Sequence, residues 1–356
     1  MKFNLMIITI LCCLTASCMK WGNRENSRLI EQAQQLTEQM PDSALTLLDM
    51  ANTASFGKAE KAEYQLMRIQ ARSNAGLDLS TDTEIFGVRD YFIRKKNPEK
   101  AALACFYAGL VAGYSDVVNQ MEFFKDALHY AQNADMILLQ GKTLYNMATL
   151  NYDNLWFDNA ITLCKQALNT FQATGDQYLF EIYSLNLIAN TMLLNQQNDS
   201  AHYYYQKALD QAYIYEDTAM LAMLYINMGA AYIEQGQVDT AIFYSKQALR
   251  LATTNNEKAH IYLNLAQIYF EKNILDSARY YIEQAERWLS NTDNELASAS
   301  LGYLSYLIEK TAGNYQKALE YFETVTNFER EIISKEDRKT LIEIQKNTTL
   351  RPKKTN

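Results

Sequence analysis

The chain is short of the residues that break helices: 12 glycines and 3 prolines among 356 residues, 48% of which are hydrophobic. Turn-rich β architectures draw heavily on both, and no segment alternates apolar and polar residues for long, so strands are not expected. Histidine is scarcer still. His129, His202 and His260 are the only three, and none shares a metal-ligand spacing with another or with a carboxylate cluster. Also missing are G-x-S-x-G, a Walker-type glycine loop, G-x-G-x-x-G, H-E-x-x-H and a C-x-x-C pair. These absences argue against an enzyme, so no catalytic residue, metal site or cofactor is expected. Positive charge is in deficit: 33 Lys and Arg against 41 Asp and Glu, formal net charge −8. An acidic surface argues against nucleic acid as a partner.

Of five cysteines, Cys12, Cys13 and Cys18 crowd the N-terminus and only Cys105 and Cys164 remain in the body of the chain. They fall in different helical units at inward-facing positions, so two buried free thiols are expected. The first residues, "MKFNLMIITILCCLTASC", join an early lysine to an apolar run that ends in Thr15, Ala16 and Ser17 before Cys18. That pattern is a secretory signal, and the apolar run is short for a transmembrane helix. It resembles a bacterial lipoprotein signal, which implies cleavage after residue 17 and acylation of Cys18. Leu14 lies four residues before Cys18 where that pattern has it three before. The implied address is the bacterial cell envelope, anchored through acylated Cys18 in the outer membrane and facing the periplasm.

What the chain does have is a repeat of small residues. Twelve residues after one comes an alanine, and seven later another: Ala148, Ala160, Ala167; Ala189, Ala201, Ala208; Gly229, Ala241, Ala248; Ala266, Ala278, Ala285. Small side chains at such spacings let two helices approach closely, as a stacked helix-turn-helix unit requires. Around them stand Tyr225, Met228, Tyr232, Gly236 and Tyr244, an order repeated by Tyr262, Leu265, Tyr269 and Tyr281 and, more loosely, by Leu144, Met147 and Phe157.

This arrangement resembles the tetratricopeptide repeat (TPR). The resemblance implies an all-α, TPR-like helix-turn-helix solenoid, a right-handed superhelix of about six to eight helix pairs. Successive second-helix alanines (Ala160, Ala201, Ala241, Ala278, Ala318) are spaced more widely than the usual 34 residues, and the closing proline is absent. The expected organisation is a signal over 1–17, a tether over 18–26, the solenoid over 27–333 with its best-matching repeats at 137–289, and a C-terminal capping helix with a basic tail over 334–356. Pairs are expected at 27–39 with 41–53, 58–75 with 81–96, 98–114 with 118–134, 137–153 with 156–174, 177–195 with 198–214, 217–235 with 238–253, 256–272 with 275–289, and 293–312 with 315–333. In the last pair Tyr306 and Val325 stand where small residues belong.

TPR arrays bind partners on the face lined by their first helices. Projected here, that face carries Lys142, Tyr145, Asn146, Thr149, Tyr152, Tyr183, Asn186, Asn190, Asn227, His260, Asn264 and Gln267. Asparagine and tyrosine there can pair with a peptide backbone, although Asn146, Asn227 and Asn264 equally match the asparagine usual in the repeat. A carboxylate clamp is not expected, because Asn186, His260 and Asn264 fill the slots that should be cationic. Tyrosine is abundant, 25 in all, with runs at 203–205 and 280–281. Roughly half are expected in the core by their register.

The function implied is a non-catalytic, lipid-anchored scaffold for a protein or peptide partner in the envelope. "MPDSALTLLDM" and "TLIEIQKN" also resemble the sensor portion of Bacteroidetes regulators. That resemblance implies, as the alternative, the sensor half of a signalling system with a separate output partner. A third reading is a glycan- or nutrient-binding lipoprotein, disfavoured by the shortage of long loops.

Overall fold

The computed structural model describes residues 26–113, 116–175, 177–290 and 295–327. The expected signal, Cys18 and the expected capping helix and tail lie outside the described residues.

Every regular element among the described residues is helical. The first half holds a helix over 26–36 (α1), then Pro41–Met50 (α2), Lys58–Asn74 (α3), Glu84–Arg94 (α4), Pro98–Ala112 (α5), Val117–Asn133 (α6), Ile137–Asp153 (α7) and Phe157–Thr174 (α8). The second holds Tyr178–Leu194 (α9), Asn198–Ile214 (α10), Thr218–Glu234 (α11), Val238–Leu251 (α12), Asn255–Glu271 (α13), Leu275–Leu289 (α14), Glu295–Thr311 (α15) and a helix over 315–327 (α16). Among the described residues a helix stands at each expected helical segment, and the architecture is a TPR-like helical solenoid. The second pair departs at the start of its second helix, expected at residue 81. Its α4 starts at Glu84 because Arg72 holds the preceding turn, bonding the Asp82 carboxylate at 2.9 Å and the Asp78 carbonyl at 2.7 Å.

Helix starts follow from local chemistry. Proline opens α2 and α5, where its missing N–H costs nothing. Asn97, Asp116 and Asp217 accept from backbone N–H groups at the starts of α5, α6 and α11, and Thr254 with Glu257 forms a capping box on α13.

The chain divides into two compact units, Met1–Thr191 and Met192–Asn356. In the first, α5 packs on α6 and α7 on α8; in the second, α11 packs on α12 and α13 on α14. The repeated small residues explain these pairings. All twelve are buried, the alanines to 1% exposure or less. A Cβ on Gly229 would come within 2.9 Å of Ser245 Oγ, and one on Gly109 within 2.5 Å of the Phe124 ring. The last pair solves the same problem from the other side. Val325 is buried where an alanine was expected, and Gly302 on α15 makes room for it, since a Cβ there would sit 2.7 Å from Val325 Cγ2.

The turns within pairs share one conformation. Leu155, Gln196, Gly236, Asn273 and Gly313 all have φ between 51° and 80°, each five residues before the first alanine of the following helix. One left-handed residue closes each first helix and redirects the chain.

The tyrosines are less buried than their register predicted. Tyr107, Tyr205, Tyr225 and Tyr232 are the core tyrosines among the described residues. Several others pack ring against ring while only partly buried. In the second unit, Tyr244 of α12 lies between Tyr225 and Tyr232 of α11, with ring centroids 5.8 and 5.5 Å away. Tyr281 of α14 repeats this between Tyr262 and Tyr269 of α13, at 6.2 and 5.2 Å.

Candidate functional site

In the first unit, the residues expected on the first-helix face are carried by α7 and by residues 178–191 of α9. Lys142, Tyr145, Asn146, Thr149 and Tyr152 lie along α7 at helical spacing, all half-buried. Their backbones are fixed by the close α7–α8 packing, where Gly141 admits the Phe171 ring. Asn146 donates to the Lys142 carbonyl at 2.8 Å, and Thr149 to the Tyr145 carbonyl at 3.1 Å. On α9, Tyr183 and Asn190 are half-buried and Asn186 is buried.

Lys142 reaches toward α9, its Nζ 4.9 Å above the centre of the Phe180 ring, which itself stacks on Phe171 at 5.0 Å. Burial lowers the lysine pKa, with the Glu38 carboxylate opposing the shift. Among the described residues Lys142 makes no ion pair. Burial likewise raises the Tyr145 hydroxyl pKa well above the usual tyrosine range, and Tyr183 adds to the shift. The result is a cation and a phenol both partly stripped of water, next to flat aromatic surface.

The second unit contributes Asn227, His260, Asn264 and Gln267. Asn264 donates across to the Ile226 carbonyl of α11 at 3.4 Å, so it joins two first helices. Gln267 is exposed and donates to Glu271 at 3.0 Å. His260 is half-buried on α13, and burial lowers its pKa. The two groups of expected residues are thus carried by different compact units.

Sequence reasoning passed over the strongest polar cluster. Glu309 on α15, its side chain 4% exposed, accepts from Arg279 Nε at 2.9 Å, Arg279 Nη2 at 3.1 Å and Asn314 at 2.7 Å. Burial pushes its pKa up, but the bonds from Arg279 and Asn314 and the charges of Arg279 and Lys317 outweigh that and hold it low. The partners are 30 residues apart on different helices and form no motif, so no sequence signal marks them. Beside them is a small, half-open cleft lined by Glu283, Glu286, Lys317 and Tyr321 among others. The cluster ties α14, α15 and α16 together.

Cys105 and Cys164 are buried free thiols, and burial pushes both up to about 12. No group of three or more His, Cys, Asp or Glu side chains among the described residues could hold a metal ion. No helix among them is long and apolar enough to cross a membrane.

The tetratricopeptide repeat family model matches residues 222–255, covering most of α11 and all of α12. No curated protein sequence matches the chain. Solved structures match in fold. A Rap protein complexed with competence and sporulation factor has a TM-score of 0.58 at 14% identity, covering 87% of this chain and 99% of that one. NprR in complex with its cognate peptide NprX gives 0.56 at 19%, covering 88% and 98%. A tetratricopeptide repeat protein from Parabacteroides merdae ATCC 43184 gives 0.52 at 12%, covering 79% and 99%.

Proposed function

We propose that this TPR-like solenoid is a non-catalytic scaffold that holds a protein or peptide partner on its first-helix face. One observation carries the reading: Lys142, half-buried and without an ion pair among the described residues, lies over the Phe180 ring on a helix that also carries the half-buried Tyr145 one turn on. A lone desolvated cation is costly to the fold, and a partner that supplies its counter-charge recovers that cost on binding. The Rap and NprR structures support the reading by fold alone, because each was solved with a peptide or factor bound. The test is in-cell crosslinking followed by purification of wild type and a Tyr145→Ala, Asn190→Ala double variant. Partner recovery should fall in the variant while helicity stays unchanged; equal recovery contradicts the reading.

The proposal extends to location. Acylation of Cys18, argued from "LTASC", would hold the scaffold at the bacterial envelope, in the outer membrane facing the periplasm. Cys18→Ser should then shift the protein from the membrane fraction to the soluble fraction. A protein that fractionates identically with and without Cys18 contradicts the anchor while leaving the scaffold intact.

A further inference from the structure

The repeat places an exposed aromatic at one position of three second helices. Tyr203 of α10, Phe243 of α12 and Tyr280 of α14 each stand two residues after a buried alanine, and each is more than half exposed. The adjoining rings of Tyr204, Tyr244 and Tyr281 meet them edge-on, at 5.3, 5.2 and 5.1 Å between centroids. In α8 the same position is Thr162, polar as exposed sites usually are. Rings that recur at one exposed position of one compact unit mark a contact surface.

The charges around Phe243 define what can cover it. Asp239, Phe243, Lys246 and Arg250 follow one another at steps of four, three and four residues, which puts them on one face of α12, and all four are exposed. This face runs from an acid at the helix start, through the ring, to two bases at its end. Asp239 precedes Phe243 by the same four residues that separate Lys246 from Arg250. A second α12 laid antiparallel therefore sets acid against guanidinium and ring against ammonium, twice over. On α14, which packs like α12 against α13, Asp276, Tyr280 and Arg287 fill the same slots, with Glu283 in that of Lys246. In α10 the last slot holds Asp210, so the complementarity stops at α12. Lys272 bonds to Asp239 at 3.1 Å, but the Asp239 side chain is 96% exposed and open to a second cation.

We propose that two copies of this chain associate through α12, antiparallel about a two-fold axis, so that Asp239 of each faces Arg250 of the other and Phe243 of each faces Lys246 of the other. Such an isologous contact is self-complementary, one surface serving both copies. Burial of the rings supplies the affinity, because exposed ion pairs contribute little. The lysine over each ring adds a cation–π contact. The charges fix the orientation, since the parallel arrangement would set Asp239 against Asp239 and Arg250 against Arg250. The contact uses second helices alone and leaves the first-helix face to the partner of the scaffold.

The test is sedimentation equilibrium of the full chain in density-matched detergent, up to hundreds of micromolar, on wild type, Asp239→Arg and Arg250→Asp. Wild type should dimerise, and each variant alone should associate with itself at least tenfold more weakly. An equimolar mixture of the two variants should dimerise like wild type, because one copy then carries a base at both positions and the other an acid at both. Recovery in the mixture also excludes misfolding as the cause of the loss. A wild type that stays monomeric throughout, single variants that associate as well as wild type, or a mixture as weak as its components overturns the proposal.

Discussion

The Phe171 ring of α8 rests against the α-carbon of Gly141 on α7, where an added methyl would sit 2.6 Å from a ring carbon. No flexible side-chain end is available to give way, since Phe171 is fully buried and stacked on Phe180. Gly141→Ala should therefore destabilise the first unit by about 1–3 kcal/mol as an overpacked core site, although alanine favours the helix by about 1 kcal/mol. Denaturant unfolding with the midpoint lowered checks this, and an unchanged midpoint would mean the two helices can separate freely.

The left-handed turn residues separate two opposite outcomes. Leu155 has φ 61° and is 67% exposed, so glycine there removes strain and sacrifices little burial. Leu155→Gly should gain about 0.5–1 kcal/mol, and Gly236→Ala at the equivalent turn should lose about 1 kcal/mol. Thermal unfolding of the two single variants should move in opposite directions.

The carboxyl of Glu309 is held below its ordinary value in the folded protein. Its contribution is then present above the unfolded value, near 4.5, and disappears as pH falls through the lowered folded value. Arg279 is about one-third exposed, so solvent weakens the pair and a loss of about 1–2 kcal/mol is expected for Glu309→Gln at pH 7. Measured at pH 7 and again at pH 3, the gap between wild type and variant should narrow. A gap independent of pH would contradict the ion-pair account.

Cys105 and Cys164 are fully buried, with thiols pushed up to about 12. At pH 8 neither should react with iodoacetamide in the folded chain, and both should react promptly in denaturant, as peptide mass spectrometry can follow. Labelling of either in the native protein would expose a local opening of its helix pair.

Much of this fold is written in small residues. The recurring Ala and Gly positions, read as helix contacts, are buried contacts, because a helical interface leaves no room for a larger side chain. Other features carry no comparable mark. Leu155 and Gln196 have no left-handed preference, so their turns are set by the helices on either side. Val325 looked like a break in the pattern until Gly302, across the interface, accounted for its volume. The candidate face was less legible than the fold. Its residues came from a resemblance, and periodicity could not reveal that Lys142 is desolvated without a partner charge, or that Glu38, 104 positions earlier, acts on it.

The most direct test places a photo-crosslinking amino acid at Tyr145, on the first-helix face, and separately at Thr162, exposed on α8 of the same unit. Irradiation in cells should give a discrete adduct from position 145 and none from position 162. Adducts of equal yield from both positions, or from position 162 alone, would contradict a scaffold that binds through its first helices.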